Sequence, residues 1–223
     1  LEAAAVLASA ERPWHVDQVR ELLSTALFAH AAQGLVRPYR PEVVAMLAAE
    51  HVNELISGGL STHRVIEDFI VESFDRSVVG RTHGPMLAWL ASMRPTILRR
   101  LMDVAPELLI EDGDPRALAL EDKLDALRRY VATADGLPAD FYLARENLPR
   151  FADASLEAGV VEQLATAPRG EGFLDLLRLA AAGRYASAAP IALQLASDPF
   201  VPSEVKINAM VALVACGSDA DLA

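Results

Sequence analysis

The chain has 223 residues, of which 52% are hydrophobic, and a formal net charge of −11. This hydrophobic content excludes a disordered chain, and the negative charge argues against general affinity for nucleic acid, because phosphate backbones attract clustered cations. No apolar stretch reaches the roughly 18–20 uncharged residues of a membrane helix, and the single cysteine, Cys216, excludes an internal disulfide. We therefore expect a cytoplasmic protein that binds neither nucleic acid nor membrane.

The first third of the chain has apolar residues at helical spacing, interrupted by proline and glycine. A helix is predicted over about 13–34, and a second from Pro41 to the Gly58–Gly59 pair. A third begins near Ser61 and has Ile70 at the end of its apolar stripe. No segment combines period-2 alternation with the turn residues of a β-hairpin. The sequence therefore predicts an all-α fold.

The middle of the chain continues the helical pattern with clear breaks. Pro95 interrupts one apolar run and restarts it. Asp114 and Pro115 are predicted as the N-cap and first residue of a helix that runs to about Ala134. Residues 135–149 contain two prolines and little periodicity, so we predict the weakest joint of the chain there.

The tail, residues 172–217, contains three apolar stripes at the spacing i, i+3, i+4, i+7. They are Phe173, Leu176, Leu177 and Ala180; then Ala188, Ile191, Ala192 and Leu195; then Ile207, Met210, Val211 and Val214. Short helices are marginal alone in water, so these stripes are expected to pack together. The pattern predicts an α-solenoid of antiparallel helix pairs, HEAT-like in its repeat. A charge placed at Leu177 or Val211 is predicted to unfold the tail.

Sequence motifs for covalent chemistry are missing from the chain. It has no GxxxxGK[ST], GxGxxG or GxSxG, and hence no nucleotide-binding P-loop. His51 and Glu54 form an H-x-x-E pair, but Leu55 stands where a zinc site would need a second histidine. The acidic run 111–114 lacks the alternating spacing of a calcium loop. We predict no catalytic, cofactor-binding or metal-binding residue, no cofactor, and no enzymatic activity of this chain.

Two local groups of basic residues are the candidate contact site for an anion or a partner protein. One group is Arg37 and Arg40 with Tyr39 between them, and the other is the loop that contains Arg81 and His83. Arginine binds phosphate and carboxylate groups through two parallel hydrogen bonds. The alternative is that these arginines cap helix carbonyls or pair with nearby acids.

Three stretches resemble the helical regions that follow the nucleotide-binding core of bacterial STAND-type NTPases with NACHT modules. The first, residues 37–49, reads RPYRPEVVAMLAA, in which Tyr39, Pro41 and the Leu47–Ala49 run are similar to a family signature. Arg40 stands where the family usually has histidine. The second, residues 86–131, resembles the family's Trp-Leu-Ala segment, its Pro-Glu-Leu-Leu turn and its Gly-Asp-Pro helix opening. The third is the HEAT-like tail.

The resemblance implies three regions and a regulatory role. Residues 1–60 would be like the end of a NACHT module, residues 61–150 a helical linker and solenoid start, and residues 151–223 HEAT-like repeats. The N-terminal part would be either winged-helix-like or a helical bundle. The family's switch ATPase holds ADP at rest and oligomerises when its C-terminal solenoid senses a ligand, and many bacterial members act in antiphage defence. This chain would then be a sensor or scaffold arm excised from a longer protein.

The expected partners are a protein ligand or a sister subunit, with oligomers formed through an NTPase core N-terminal to Leu1. Two other functions remain open. The chain could be a free-standing HEAT-like adaptor with no ATPase attached. It could also be a small helical enzyme whose site is assembled only in three dimensions, which a deep pocket with converging acids or histidines would favour.

Overall fold

The computed structural model describes residues 15–23, 28–30, 36–38, 40–73, 76–80, 82–136 and 143–218. Within these ranges the chain is mostly helical, with twelve α-helices and four short strands. The first half contains α1 (Val16–Leu23), β1 (Phe28–His30), β2 (Val36–Pro38), α2 (Pro41–Ser57), α3 (Thr62–Phe69), β3 (Ile70–Ser73), β4 (Arg76–Val79), α4 (Gly84–Met93) and α5 (Pro95–Val104). The second half contains α6 (Pro106–Glu111), α7 (Leu120–Thr133), α8 (Leu148–Phe151), α9 (Glu157–Thr166), α10 (Glu171–Gly183), α11 (Ala189–Ser197) and α12 (Ser203–Cys216).

Proline opens several of these helices, as the sequence predicted for Pro41 and Pro95. Pro41, Pro95 and Pro106 are the first residues of α2, α5 and α6. Proline is tolerated there because the first backbone N–H of a helix has no intrahelical acceptor. Asp114 does accept a hydrogen bond from the backbone N–H of Arg116, but it caps only a short 3-10 turn, Pro115–Ala117. The predicted helix from Pro115 to about Ala134 is wrong at its start, because α7 begins at Leu120. None of the described helices is long and apolar enough to cross a membrane.

The prediction of a single helix over residues 13–34 is wrong, because residues 28–30 form a strand. Strand β1 begins at Phe28 and pairs antiparallel with β2, with Ala29 opposite Arg37. A three-residue strand is too short to show a period-2 pattern, so the helical spacing of the preceding residues dominated the prediction.

A second hairpin was also missed, where the sequence predicted the end of a helix. Ile70 is the first residue of β3 and pairs with Val79 of β4, while Val71 pairs with Val78. Ile70 and Val79 are buried, whereas Val71 and Val78 are exposed. Paired β-branched residues on each strand favour extended backbone, which explains why the helix ends at Phe69.

Two clusters of buried side chains hold the described elements together. The first lies mainly among α2, α4 and α5, and its most deeply buried large side chains are Leu87, Leu90, Ile97, Leu101 and Leu109. The second lies among α7 to α12 and includes Tyr130, Phe151, Leu156, Leu176 and Tyr185. Burying one Leu-sized side chain contributes roughly 1.5–3 kcal/mol, so these clusters dominate the stability of the helices.

The C-terminal helices pack on one another in succession, α9 on α10, α10 on α12, and α11 on α12. The first two predicted stripes of the tail contribute to this packing, since Leu177 and Ala192 are fully buried. The third stripe, on α12, was also predicted to be buried, and this prediction is wrong. Its four members, Ile207, Met210, Val211 and Val214, are 55–69% exposed.

The opposite face of α12 is the one that packs. Its buried residues are Val205, Asn208, Ala209, Ala212, Leu213 and Cys216. Because α12 is apolar on both faces, the spacing of its apolar residues cannot decide which face contacts the neighbouring helices. The buried Asn208 lies on the packed face, but the spacing of apolar residues does not include this polar side chain.

Candidate functional site

The predicted basic contact site is only partly within the described residues. Tyr39 and Arg81 lie outside them, and for Arg37 only the backbone, in β2, is described. Arg40 is exposed and immediately precedes α2. His83 is exposed and immediately precedes α4, with its ring centre 5.0 Å from that of Phe69. That these residues bind an anion or a partner stays a prediction.

Two adjoining concave regions flank α5, and we call them together the α5 groove. The first has a volume of about 630 Å³ and includes Glu107 and Arg129 in its lining. The second has a volume of about 860 Å³ and is bounded by α3, β3 and α5. Arg100 and Asp103 line both regions. The groove therefore extends from β3 past α5 to the first turn of α6.

Glu107 is the one residue of the α5 groove with a strongly shifted pKa among its described groups. Its side chain is only 6% exposed, and it lies in the first turn of α6. Burial raises the pKa of this carboxyl to about 7, against the lowering effect of its own backbone N–H, and the charge of Glu111 raises it further. Glu107 can therefore exchange a proton near neutral pH.

The arginines of the groove already have partners. Arg129 donates to Asp103 Oδ1 at 2.6 Å and to Asp125 Oδ2 at 2.8 Å. Arg100 donates to Ser77 Oγ of β4 at 3.0 Å. Positive and negative groups thus alternate along the groove, and it presents no cluster of one sign that would attract a polyanion.

A buried polar network joins α7, α10 and α12. Tyr130 donates its hydroxyl proton to Asp175 Oδ2 at 2.5 Å, and Arg178 donates to Asp175 Oδ1 at 2.6 Å. Arg178 also donates to Asn208 Oδ1 at 3.1 Å, and Asn208 in turn donates to the main-chain oxygen of Glu204 at 2.9 Å. Because these buried groups satisfy one another, the network fixes the rotation of α12 about its own axis.

Three further contacts, two of them partly buried and one buried, have a structural role. Lys123 of α7 donates to Asp153 Oδ2 at 2.5 Å, and the Tyr185 hydroxyl donates to the main-chain oxygen of Asp153 at 2.8 Å. Cys216 lies at the end of α12, with Sγ 3.2 Å from the main-chain oxygen of Ala180. Burial raises the pKa of this thiol, so it stays protonated at neutral pH and is a poor nucleophile. Within the described residues, no three His, Cys, Asp or Glu side chains are grouped closely enough to hold a metal ion.

The exposed stripe of Ile207, Met210, Val211 and Val214 is the strongest candidate for a functional surface, and we call it the outer face of α12. It spans two helical turns, and 55–69% of each side chain contacts solvent. Contiguous exposed apolar residues of this kind are typical of protein interaction sites. The sequence identified these four residues as a stripe but assigned them to the core.

No protein family, curated protein or solved structure matches this chain. The functional argument therefore depends on the outer face of α12 and on the α5 groove. The first is apolar, uncharged and formed by one helix, which suits contact with another helix. The second is polar and formed by several elements.

Proposed function

We propose that the chain is a sensor or regulatory helical-repeat arm of a STAND-type NTPase with a NACHT module. In this proposal it binds a protein ligand or a sister subunit, in the cytoplasm, and the parent protein acts in antiphage defence. The observation that carries the proposal is the outer face of α12, because a solvent-facing apolar stripe on an otherwise packed helix is suited to contact with another protein.

The packing order of the C-terminal helices supports the HEAT-like part of this proposal. In a solenoid each helix pair contacts only its neighbours, and a terminal pair leaves one apolar face open unless a polar cap covers it. The succession of α9, α10 and α12, with α11 beside α12, agrees with such a stack.

The element order of residues 41–79 supports a winged-helix-like N-terminal part over a helical bundle. Two consecutive helices, α2 and α3, lead directly into the antiparallel hairpin of β3 and β4. A winged-helix domain likewise has helices that lead into an antiparallel hairpin, its wing. In the proposed parent protein this part would follow the nucleotide-binding core, from which the oligomer would be built.

The coding sequence upstream of Leu1 tests this proposal directly. We expect an open frame that encodes a P-loop within several hundred residues, because this chain has no GxxxxGK[ST] of its own. Purified alone, the chain is expected to hydrolyse no ATP. An in-frame stop codon upstream without a P-loop would contradict the proposal and would favour a free-standing HEAT-like adaptor that uses the same outer face of α12.

The burial and raised pKa of Glu107 favour one further candidate function, that of a small helical enzyme. A buried carboxyl with a pKa near 7 in the wall of a groove has the properties of a general acid or base. Such an enzyme needs a second group that converges on the substrate. A screen of hydrolase and lyase substrates in which Glu107→Gln abolishes turnover, and Glu121→Gln does not, would establish this function in place of the first.

A further inference from the structure

We propose that the first region of the α5 groove, which we call the Glu107 cavity, binds a free amino acid. In this site the ammonium group of the ligand contacts the Glu107 carboxyl, and its carboxylate contacts the Arg100 guanidinium. The inference goes beyond the proposed function, because it assigns a small-molecule site that contact with other proteins does not require.

The Glu107 cavity has the size of a small-molecule site. Its volume of about 630 Å³ lies within the roughly 300–1,000 Å³ of typical ligand pockets. Its walls come from α5, from the first turn of α6 and from the C-terminal half of α7, with Ser77 of β4 at one side. Met102, Val104 and Pro106 line it beside the charged residues. The cavity can therefore contact both the carbon skeleton and the charged ends of a small ligand.

Glu107 is the buried group of this cavity that lacks a partner residue. It is only 6% exposed, and among the described residues no other residue donates a hydrogen bond to its carboxyl, which accepts from its own backbone N–H. Such a carboxylate is costly in its ionised form, because burial removes the water that would stabilise its charge. A ligand that brings a cationic N–H donor into the cavity supplies the missing partner.

Arg100 supplies the opposite charge in the same cavity. Its guanidinium has five N–H donors, and its Nη2 donates to Ser77 Oγ at 3.0 Å. Within the described part of the chain, no carboxylate pairs with it. Asp103 and Arg129, by contrast, neutralise each other through a contact of 2.6 Å. After this pairing, the charged groups that remain for a ligand are one acid, Glu107, and one base, Arg100.

A ligand with both charges satisfies these two groups at once. Glu107 and Arg100 form no ion pair with each other in the described structure, and the charge that shifts the pKa of Glu107 is that of Glu111. A ligand can therefore lie between them. A simple amine would leave Arg100 without an anion, and a simple carboxylate would be repelled by Glu107. A molecule with an ammonium group and a carboxylate matches both, and free amino acids are the simplest such molecules.

Amide chemical shifts of the isotope-labelled full chain, titrated with zwitterions of increasing length, test the site. The probes are glycine, β-alanine, γ-aminobutyrate and δ-aminovalerate, in which one methylene at a time is added between the two charges. We expect at least one probe to bind with a dissociation constant of about 0.1–1 mM, because ligands with few non-hydrogen atoms bind weakly. The shifts should saturate and be centred on Arg100, Glu107 and the C-terminal half of α7.

Matched analogues and variants separate the two contacts. For the best zwitterion, the amine without the carboxylate and the carboxylate without the amine should each bind at least about tenfold more weakly, since each loses one charge-assisted hydrogen bond. Glu107→Gln and Arg100→Gln should weaken the zwitterion by a similar factor. Glu121→Gln and Arg145→Gln, at exposed positions outside the cavity, are the controls and should leave binding unchanged. Circular dichroism checks that each variant is folded.

The pH dependence of binding reports on Glu107 itself. Burial raises the pKa of this carboxyl to about 7, so it is mostly protonated at about pH 6 and mostly ionised at about pH 8. We expect the affinity to rise about tenfold between these values, because only the ionised form pairs with the ammonium group, while the probes keep both of their charges.

Glu107→Gln should abolish this rise and so distinguishes Glu107 from the other charged groups around it. On the elements packed against α6 and on α6 itself, α4 has no charged side chain, and the others are Arg100 and Asp103 of α5, Glu111 of α6, Arg129 of α7 and Arg150 of α8, with His63 of α3 in the adjoining region. A rise that persists in Glu107→Gln would assign the dependence to one of these groups and would contradict the contact with Glu107.

Three other results would overturn the inference. One is the absence of saturable shifts for every probe at about 10 mM, at least about ten times the expected dissociation constant. The second is equal binding of the amine alone and the zwitterion. The third is unchanged binding in either Glu107→Gln or Arg100→Gln. None of these results depends on whether a P-loop is encoded upstream of Leu1, so this inference and the proposed function can fail separately.

Discussion

Arg178 of α10 and Asn208 of α12 are joined by a 3.1 Å hydrogen bond from Nε to Oδ1, on the packed side of α12. Arg178 is at the same time held by the fully buried Asp175, which also accepts from Tyr130 of α7. Asn208 therefore connects α12 to this network. The outer face of α12 points away from this contact.

Asn208→Leu is therefore expected to destabilise the fold. The change removes the acceptor of Arg178 and leaves part of a buried guanidinium without a partner, which costs about 1–3 kcal/mol. Urea unfolding followed by circular dichroism measures the free energy of unfolding. Gln194→Leu, at an exposed position of α11, serves as the control and should change it little. Equal stability of Asn208→Leu and the wild type would show that the network does not hold α12.

The raised pKa of Glu107 predicts a stability that depends on pH. Because the folded-state pKa, about 7, is above the ordinary value of 4.5, the folded protein binds more protons than the unfolded chain between these two pH values. The free energy of unfolding should therefore fall as pH rises from about 4.5 to 7, as the buried carboxyl becomes charged. The expected loss is on the order of 2 kcal/mol.

Glu107→Gln should remove this dependence, because an amide of the same shape carries no charge. The variant is expected to be more stable than the wild type above pH 7 and similar to it near pH 4.5. Thermal unfolding at several pH values makes the comparison, and Glu121→Gln, exposed at the start of α7, is the control. A parallel pH profile for Glu107→Gln and the wild type would contradict the assignment.

Gly172 of α10 allows close approach to α7, which reverses the usual effect of a glycine-to-alanine change. Alanine in a helix is normally about 1 kcal/mol more favourable than glycine. Here an added Cβ would lie 2.8 Å from Val131 Cα and 2.9 Å from its main-chain oxygen, and neither atom can move without shifting the backbone of α7. Gly172→Ala is therefore expected to lower the free energy of unfolding by about 1–3 kcal/mol.

Gly58 provides the comparison for Gly172. A Cβ added there would be no closer than 3.4 Å to its neighbours, so Gly58→Ala should be nearly neutral. Differential scanning calorimetry of the two variants measures the contrast. If both changes raised the melting temperature, α7 and α10 would not be in the close contact described.

The helices that the sequence predicted are those with one clear apolar face and a defined start. Pro41 and Pro95 mark helix starts by local chemistry, so they were predictable without tertiary contacts. The hairpin at Ile70 was not predictable from the spacing of apolar residues. Two strands of four residues each give too few positions to separate β alternation from a helical stripe. The structure of this segment therefore depends on its contacts with the rest of the fold.

The functional surfaces were harder to predict for a related reason. Glu107 acquires its raised pKa from burial against elements distant in sequence, and no motif marks it. The outer face of α12 was visible as a stripe, but only the packing of the other face of the helix shows that the stripe points outward. A pattern identifies an apolar face, whereas the partner of that face depends on the whole fold.

The same substitution at Leu177 and at Val211 separates a packed stripe from an exposed one. Leu177 of α10 is fully buried, so Leu177→Asp places a charge in the second cluster of buried side chains and should unfold the C-terminal helices. Val211 is 55% exposed, and Val211→Asp, contrary to the expectation from sequence, should change the free energy of unfolding by no more than about 0.5 kcal/mol. Thermal melts of both variants at one low protein concentration make the comparison. A large loss of stability in Val211→Asp under those conditions would mean that the outer face of α12 is buried within the monomer.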